Sequence, residues 1–590
     1  MTRTLFILAL FCGSAHAQTV TSASYGTNFH SNTLTQKTFS GLCRLWNATD
    51  QLSDDVSWAV VETARGTYTW TALDAAVNAC KARGQQILYT FGNVPAWANG
   101  GGTNCSPAGS QCNPPTNFSD LYNFVTAVVS RYNGDGIIYN VWNEVDLSTN
   151  WWSGTSAQML TIAQQTYSIV HSIDPTALVS TPTYASSGGF YGSQQFLASG
   201  GGAYADIIDT HCYPFRAAFY SSTPPTTTPE AVWNAAHYYT TMTAFFGQSS
   251  KPLICNEGGW AQDSISALTS QQKIAYAAIW QILLLSGGEK TIAWYSYDDS
   301  LWGPLWDGST WLNSAGLAYR ITQSWLAGAT FATPVSRIAG TNQIRNPSMS
   351  GAVAGTPGTA PTDMSIYNPD SAKGITTQIV GTGTEAGLAY VDFRVFGTAT
   401  TGAAGFVQFS FEAGQQIAAA LGQQWTAGVY AKLQAAPTPL PQNSIVLEIN
   451  ENNSSGTYLD NILYDFFNPI GATLNLDQES FATHTLNSSV AYVVPVIAVT
   501  YSVGTAFDIT LRLASPSMDT GSIWSGALTR PGGYTATIAW DANGGPTSYL
   551  TGQAYQRDLF GGSQAITGGS VTLTNLPLLL ESVQFKGLLQ

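Results

Sequence analysis

The stretch IIYNVWNEVD, residues Ile137 to Asp146, is a run of apolar and aromatic residues that ends abruptly in Asn143 and Glu144. It predicts a short buried strand with an acid at its end. The stretch PLICNEGGW, Pro252 to Trp260, has the same pattern, with Glu257 at the strand end. A single strand-end glutamate is usually a solvated or salt-bridged surface residue. Two glutamates in matching Asn-Glu contexts indicate instead a general acid and a nucleophile that act on one bond.

Short apolar strands alternate with helical patterns from Tyr25 to about residue 330, which is typical of a parallel α/β architecture. Eight such units fit a closed barrel better than an open sheet, so we predict a (β/α)8 TIM barrel spanning residues 18–330. We expect its strands at Tyr25–His30, Leu42–Asn47, Ile87–Asn93, Ile137–Asn143, Leu178–Tyr184, Ile207–Tyr213, Leu253–Glu257 and Thr291–Tyr297. The predicted helices include Leu73–Arg83, Ser119–Tyr132, Ser156–Ile173, Thr228–Phe246 and Ser270–Ser286.

Chemically useful residues follow several of these strands at the same end. They are Arg44, Trp97, Asn143, Glu144, His211, Tyr213, Glu257, Trp294 and Tyr297. Each alone has a structural explanation: Arg44 as an ion-pair residue, His211 as a satisfied core histidine, Trp294 as simple packing. Active residues of TIM barrels lie at the carboxyl ends of the strands, so their joint position there predicts one site.

Several motifs carry a family resemblance across the whole barrel. They are WAVVETARGTYTWTALD (Trp58 to Asp74), ILYTFGNVPAWA (from Ile87), WNE, HCY and NEGGW. The segment resembles the clan A glycoside hydrolases, with family 39 and its relatives nearest. The resemblance implies hydrolysis by double displacement with retention of the anomer, with Glu144 as acid/base and Glu257 as nucleophile.

The polar residues suit this chemistry, which needs one protonated and one ionised carboxyl about 5–5.5 Å apart. Asn143 is suited to bind the sugar 2-hydroxyl. Arg44 and Tyr213 can hold Glu257 ionised, and His211 couples either to Glu144 or to substrate.

The aromatic residues suggest stacking surfaces for sugar rings. We expect Trp294 to form a flat apolar floor for one sugar, Tyr297 to contact substrate and Trp97 to add a wall. Trp151 and Trp152, in the loop after Glu144, extend this platform. Roles in the core or as loop anchors are equally open for Trp97, Trp151 and Trp152.

Composition limits the possible partners. The chain has 590 residues, 44% hydrophobic and only 9% charged, with a net charge of −14 and no Lys/Arg cluster. We therefore expect no nucleic-acid and no membrane partner, and a neutral or weakly acidic glycan as substrate. No run of about 18 apolar residues follows the N-terminus. Double displacement needs no metal and no organic cofactor, and we expect a monomer.

The N-terminus predicts export and an oxidising compartment. Arg3, the apolar run Leu5–Phe11 and the small-residue site Ala15-His16-Ala17 predict a signal peptide over residues 1–17 and a secreted protein. Of the six remaining cysteines, Cys105 and Cys112 bracket a small loop and are the best disulfide candidate. The other four are interpreted as buried thiols, with a Cys43–Cys80 bridge as the alternative. The absence of C-x-x-C and H-E-x-x-H spacings argues against a zinc site.

The chain beyond the barrel predicts all-β sandwich domains, because its composition shifts to Thr, Ser, Gly and Val in alternating runs. We predict a small β-domain, made of residues 331–342 plus 520–590, that packs on the barrel. Residues 343–519 would be inserted into it, and they resemble a jelly-roll carbohydrate-binding module. A tandem of two β-domains is the alternative.

The functional prediction is a secreted, endo-acting polysaccharide hydrolase. The alternative hypothesis, from a different functional class, is a non-catalytic polysaccharide-binding or adhesive surface protein. A transglycosylase would use the same residues and differ only in its acceptor.

Overall fold

The structure is a computed structural model. It describes residues 19–28, 38, 40–46, 56–101, 105, 111–213, 229–260, 268–298, 302–309, 311–414, 416–421, 423, 425–435, 445–465, 475–478 and 489–585. The predicted signal peptide, residues 1–17, lies outside the described residues. None of the helices in the described ranges is long and apolar enough to cross a membrane.

Eight parallel strands form the barrel, at or close to the predicted positions. They are β1 (Tyr25–Asn28), β2 (Leu42–Leu45), β5 (Gln86–Thr90), β6 (Ile138–Asn140), β7 (Leu178–Ser180), β8 (Ile208–His211), β9 (Leu253–Gly258) and β10 (Thr291–Trp294). Their spatial order is β7-β6-β5-β2-β1-β10-β9-β8, and a parallel bridge between Ser180 and Ile207 joins the two ends. The predicted (β/α)8 barrel is confirmed. A two-stranded hairpin, β3 (Glu62–Ala64) and β4 (Thr67–Tyr68), follows the second barrel strand.

The barrel interior is built in two layers that differ in polarity. A lower cluster is apolar and consists of Leu42, Leu88, Ile138, Ile207, Ile254 and Ala293. Two positions further along the strands, the inward side chains are buried and polar: Asn28, Arg44, Thr90, Asn140, Ser180, Asp209 and Asn256. Side chains alternate across a strand, so positions i and i+2 lie on one face. The apolar layer therefore closes the barrel below, and the polar layer lies beneath the carboxyl ends of the strands.

The helices surround this barrel. They are α1 (Trp58–Val61), α2 (Thr71–Ala82), α3 (Ala96–Asn99), α4 (Phe118–Arg131), α5 (Ser156–Ile173), α6 (Ser186–Ala198), α7 (Val232–Phe245), α8 (Ser270–Ser286) and α9 (Ser314–Leu326). The predicted bounds of α5 and α8 agree with the structure, and those of α2, α4 and α7 differ by a few residues. The N-termini of α5 and α8 are both capping boxes, formed by Thr155 with Gln158 and by Thr269 with Gln272.

Two disulfides lie in the barrel. Cys105 pairs with Cys112, as predicted. Cys43 also pairs with Cys80, so the interpretation of these two as buried thiols was wrong and the alternative bridge is confirmed. Cys43 lies on β2 and Cys80 on α2, the helix that packs over it, and their Cα atoms are 6.0 Å apart, within the range that a disulfide spans. Cys212 and Cys255 are buried free thiols.

Antiparallel sheets follow the barrel. One sheet contains, in spatial order, β11 (Thr330–Arg337), β23 (Ile523–Arg530), β24 (Tyr534–Asp541), β29 (Leu578–Glu581), β26 (Tyr555–Arg557) and β27 (Ser563–Ala565). Two short strands, β25 (Thr547–Leu550) and β28 (Ser570–Leu573), pair beside it. The sheet thus combines a strand from before residue 340 with strands from after residue 520.

Two further sheets come from the chain between these strands and share one apolar core. The first contains β12 (Ser365–Tyr367), β15 (Phe406–Ser410), β21 (Tyr492–Thr500), β18 (Ile445–Asn452) and β19 (Tyr458–Asp465), with β16 (Ile417–Ala418) also paired to β21. The second contains β13 (Ile375–Glu385), β14 (Leu388–Thr398), β22 (Ala506–Asp519), β17 (Thr426–Ala435) and β20 (Asn475–Gln478). This is the chain order of a nested arrangement, and we propose the division into 331–342 plus 520–590 and an inserted 343–519.

The sheet that contains β11 packs directly on the barrel. Trp540 donates its indole N–H to Glu230 Oε1 at 2.6 Å, and Trp524 packs edge-on against Trp233. Arg530 donates to the carbonyl oxygens of Trp325 at 2.7 Å and Ser324 at 3.2 Å, and also to that of Ala327. These carbonyls end α9 and have no partner within the helix, so Arg530 caps it from the neighbouring sheet.

We expect Arg530→Met to lower the free energy of unfolding by about 2 kcal/mol, because it removes a cationic donor from these carbonyls and keeps much of the aliphatic stem. The measurement is the urea midpoint. Arg394→Met is the matched control, because Arg394 pairs with Asp508 on an exposed sheet face and should matter little. Equal midpoints for the two variants would contradict the capping role.

Candidate active site

The carboxyl ends of the barrel strands bring together most of the residues predicted from the sequence. Arg44 comes from β2, Asn143 and Glu144 follow β6, His211 ends β8, and Glu257 lies in β9. Tyr213 follows His211 by two residues and also reaches the site. Strands that run parallel in a closed barrel present these ends on one rim, which is why residues more than 200 positions apart meet.

The two glutamates lie close together. An oxygen of Glu144, a nitrogen of His211 and an oxygen of Glu257 all lie within 4.8 Å of one another. Glu257 is 8% exposed and Glu144 is half-buried. The backbone of Glu144 has φ +39°, in the left-handed region that side-chain-bearing residues rarely adopt, and its N–H donates to Thr183 Oγ1 at 3.2 Å. Such strain is typical of a residue whose side chain must point in one particular direction.

Glu257 is held by donors on both of its oxygens. Arg44 Nη1 donates to Oε2, and the Tyr213 hydroxyl donates to Oε1 at 2.8 Å. His211 Nε2 lies 3.7 Å from Oε2. Burial alone raises the pKa of Glu257, but the charges of His211 and Arg44, with hydrogen bonds from Arg44 and Tyr213, outweigh it and hold the pKa below its ordinary value. Glu257 is therefore kept ionised.

Glu144 has a different environment. Its Oε1 lies 2.9 Å from His211 Nδ1, and its Oε2 accepts the indole N–H of Trp151 at 3.0 Å. Burial lowers the pKa of His211, but the charge of Glu257 and the hydrogen bond and charge of Glu144 outweigh it, so the pKa is raised. His211 thus lies between the two carboxyls and contacts both. Trp151, one of the residues expected to extend the stacking platform, thus contacts Glu144 through the edge of its indole.

Arg44 also orients Asn143. Arg44 Nη2 donates to Asn143 Oδ1 at 2.6 Å, so the amide group turns its oxygen to the guanidinium and its NH2 away from it. Arg44 is 3% exposed, and it further donates to Asn28 Oδ1 and Thr90 Oγ1, both at 3.4 Å. Asn143 is left with two amide hydrogens to donate to a ligand.

The expected aromatic floor is placed differently. Trp294 is fully buried, packs against Trp260 and Trp280, and donates its indole N–H to the Gly303 carbonyl at 2.7 Å. Tyr297 is fully buried as well. In this structure neither ring presents an exposed face to a sugar, because the loop after β10 folds back over them. Trp97 is half-buried and donates to the Glu62 carbonyl at 2.9 Å, so its polar edge anchors the hairpin.

Other aromatic residues at the rim were not predicted to bind. Tyr295 directly follows β10, is half-buried, and packs edge-on against Trp302, which in turn contacts the ring of Tyr213. Trp46 follows β2 and packs against Trp151. Tyr295 and Trp46 both come directly after a barrel strand, and this position in the sequence could have identified them. The sequence prediction instead named Trp294, which precedes Tyr295, and Arg44, which lies two residues before Trp46.

A buried carboxyl beneath the site was also missed. Asp209 Oδ2 accepts from Asn140 at 3.2 Å, Ser180 at 2.9 Å and Asn256 at 2.9 Å. Burial raises the pKa of Asp209 to about 7, and the hydrogen bond from Ser180 and the charges of His211 and Arg44 offset this only in part. Asn256 directly precedes Glu257, and Asp209 lies two residues before His211. Asp209 therefore ties together the strands that carry the site.

The three donors of Glu144, His211 and Glu257 are close enough to hold a metal ion. Arg44, however, is already paired with Glu257 Oε2, the oxygen nearest to His211 Nε2. A metal ion in that position would lie beside a fixed positive charge in a buried site, which Coulomb repulsion disfavours. The arrangement fits two carboxyl groups that act without a metal better than it fits a metal centre.

Comparison with solved structures returns glycoside hydrolases. A family 39 glycoside hydrolase from Bacteroides cellulosilyticus WH2 is 13% identical, with a TM-score of 0.39 over 82% of each chain. A monomeric β-xylosidase from Caulobacter crescentus CB15 is 12% identical, with a TM-score of 0.42 over 82% of this chain and 96% of that one. A family 30 endoxylanase from Clostridium papyrosolvens C71 is 12% identical, with a TM-score of 0.38 over 82% and 98%. No protein-family model and no curated protein matches the sequence. At these values the likeness carries no argument about the reaction, which must rest on the site itself.

The pKa shifts of Glu257 and His211 predict the pH range in which their interaction stabilises the fold most. Glu257 has a lowered pKa, so its contribution is complete above its ordinary value of 4.5 and is lost as pH falls through the folded value. His211 has a raised pKa, so its contribution is complete below 6.5 and is lost as pH rises through the folded value. Wild type should therefore exceed Glu257→Gln in thermal midpoint most between pH 4.5 and 6.5, with smaller differences on either side. A difference independent of pH would contradict these pKa shifts.

Proposed function

We propose that the protein is a secreted retaining glycoside hydrolase that cleaves a neutral or weakly acidic polysaccharide internally. The observation that carries the proposal is the pair of carboxyls within 4.8 Å, one fixed as an anion by Arg44 and the other held by His211 and Trp151. Retaining enzymes need about 5–5.5 Å between the two carboxyls, whereas inverting enzymes need about 6.5–9.5 Å to admit a water molecule. The spacing supports double displacement.

In the first step, a carboxylate oxygen of Glu257 attacks the anomeric carbon of the sugar above it. The bond from that carbon to the glycosidic oxygen breaks, and Glu144 gives its proton to the departing oxygen. The product is a glycosyl ester on Glu257. Arg44 and Tyr213 favour the ionised nucleophile in this step and, once the ester has formed, keep hold of its carbonyl side.

In the second step, water attacks the same carbon and gives a proton to Glu144, and the bond to the Glu257 oxygen breaks. The two inversions leave the anomer as it was, and one water molecule is consumed. Asn143 donates to the sugar 2-hydroxyl throughout, a contact that strengthens as positive charge develops on the ring. His211 orients Glu144 by its contact with Oε1.

The composition of the chain supports a neutral or weakly acidic glycan as the substrate class. Only 9% of the residues are charged and 12% are aromatic, which suits uncharged sugar rings better than a polyanion. Two disulfides are compatible with export. We further propose that the sandwich over residues 343–519 is a carbohydrate-binding module and that the enzyme acts as a monomer without a cofactor.

The first test is activity on a panel of neutral and weakly acidic plant and bacterial polysaccharides and of 4-nitrophenyl glycosides, measured both with and without EDTA. We expect wild type to release oligomers and Glu257→Gln to release none, since the amide is no longer a nucleophile. Reducing ends and fragment lengths are the readout. Binding of a polysaccharide without any release would favour the non-catalytic surface protein, and loss of activity in EDTA would favour a metal centre.

The second test separates the two glutamates. Glu257→Ala should be reactivated by azide, with inverted product, because azide replaces the missing nucleophile. The activity of Glu144→Ala on natural linkages should fall roughly 10²–10⁴-fold. Its activity on 4-nitrophenyl glycosides should fall far less, because their leaving group needs no proton. The product anomer is read by NMR. If Glu144→Ala lowered the activity on natural linkages and on 4-nitrophenyl glycosides by the same factor, the acid/base assignment would be wrong.

A further inference from the structure

Two tryptophans form an aromatic corner beside Glu144. Trp46 and Trp151 meet edge-on, with ring centroids 5.5 Å apart and planes at 67°. Both are half-buried, whereas Trp142 and Trp152, their neighbours beneath, are almost fully buried. The corner therefore presents apolar ring surface at the rim, where the deeper tryptophans present none.

The corner is held rigidly. Trp46 packs closely against Gly92, where an added Cβ would come within 2.6 Å of the ring, so the close approach depends on the glycine. The carbonyl of Trp151 accepts the indole N–H of Trp142 at 3.0 Å, and its backbone N–H donates to the Leu147 carbonyl at 2.9 Å. A fixed apolar surface loses little conformational entropy when a ligand packs on it.

The position of the corner relative to the chemistry indicates what it binds. Trp151 contacts Glu144 Oε2, the oxygen opposite the one that faces His211. A second aromatic pair, Tyr295 and Trp302, lies beside Tyr213 and hence on the side of Glu257. Glu144 must lie within hydrogen-bond distance of the departing oxygen. The sugar that this oxygen carries therefore comes to lie against Trp151 and Trp46.

We propose that the aromatic corner of Trp46 and Trp151 is the binding site for the leaving-group sugar, a neutral pyranose whose C–H face packs on the rings. The inference rests on the proposed function and adds the residues that recognise the sugar released in the first step. The same surface receives a sugar acceptor in place of water in the second step, so it also sets the capacity for transglycosylation.

The test compares kcat/KM of Trp46→Ala with that of wild type on two substrates. One is the shortest oligosaccharide that wild type cleaves in the panel, and the other is the glycosyl fluoride of the sugar that is transferred. Fluoride leaves without a ring and cannot use the corner. We expect kcat/KM to fall roughly tenfold or more on the oligosaccharide and to stay within about threefold on the fluoride. Trp46→Phe, which keeps an aromatic face, should lose less on the oligosaccharide.

Activity on the fluoride also shows that the variant is folded. Equal losses on both substrates would overturn the proposal, because Trp46 would then act through Arg44, whose guanidinium lies 5.9 Å from its ring. Unchanged activity on both would overturn it as well. Trp70→Ala is the matched control: its half-buried ring packs on Tyr68 and Arg131, and neither substrate should be affected. If wild type cleaves no oligosaccharide of the panel and no glycosyl fluoride, the proposed function itself fails, and the subsite with it.

Discussion

The buried ion pair between Arg44 and Glu257 is the interaction on which the rest of the site depends. Moving two charges out of water costs several kcal/mol per ion, and their attraction offsets this only when the remaining donors and acceptors are also satisfied. Here Tyr213 satisfies the second oxygen of Glu257, and Asn143 accepts from the second arm of the guanidinium. Removing one member would leave a buried charge unpaired, at a cost of about 3–5 kcal/mol. The pair therefore dictates which residue types can stand at the ends of the neighbouring strands.

The same pair makes the two glutamates chemically different. Glu257 shares its pocket with a permanent cation, whereas Glu144 contacts His211 and the indole N–H of Trp151. His211 contacts both carboxyls, with Nδ1 2.9 Å from Glu144 Oε1 and Nε2 3.7 Å from Glu257 Oε2. This difference in surroundings, more than the distance alone, supports the proposal that one glutamate is the nucleophile and the other the acid.

The sequence predicted the barrel and most of the polar site, because both follow from short-range patterns: apolar runs of strand length, and chemically active residues where those runs end. What it missed depends on how separate elements face each other. The Cys43–Cys80 bridge, which the sequence left only as the alternative to buried thiols, requires that α2 lie over β2 with both thiols between them. The burial of Trp294 depends on the loop after β10, and the contact from Trp151 to Glu144 depends on how the loop after β6 returns. Helix α6 was not named, since adjacent Gly188 and Gly189 lower helix propensity.

The sheets beyond the barrel relate to it in two different ways. Helix α8 is buried on all sides from Ile274 to Ser286, which an ordinary outer helix of a barrel is not, and it belongs to one apolar cluster with Trp524 and Trp540. The sheet that contains β11 is thus part of what stabilises the barrel. Among the described residues, the chain enters and leaves the sandwich at neighbouring positions, where Ile338 N–H donates to the Ile523 carbonyl at 2.7 Å and Arg337 pairs with Asp519 at 3.0 Å. An insertion whose two ends lie side by side disturbs the host sheet little. We therefore infer that the sandwich could vary, or be absent, without altering the geometry of Glu144 and Glu257.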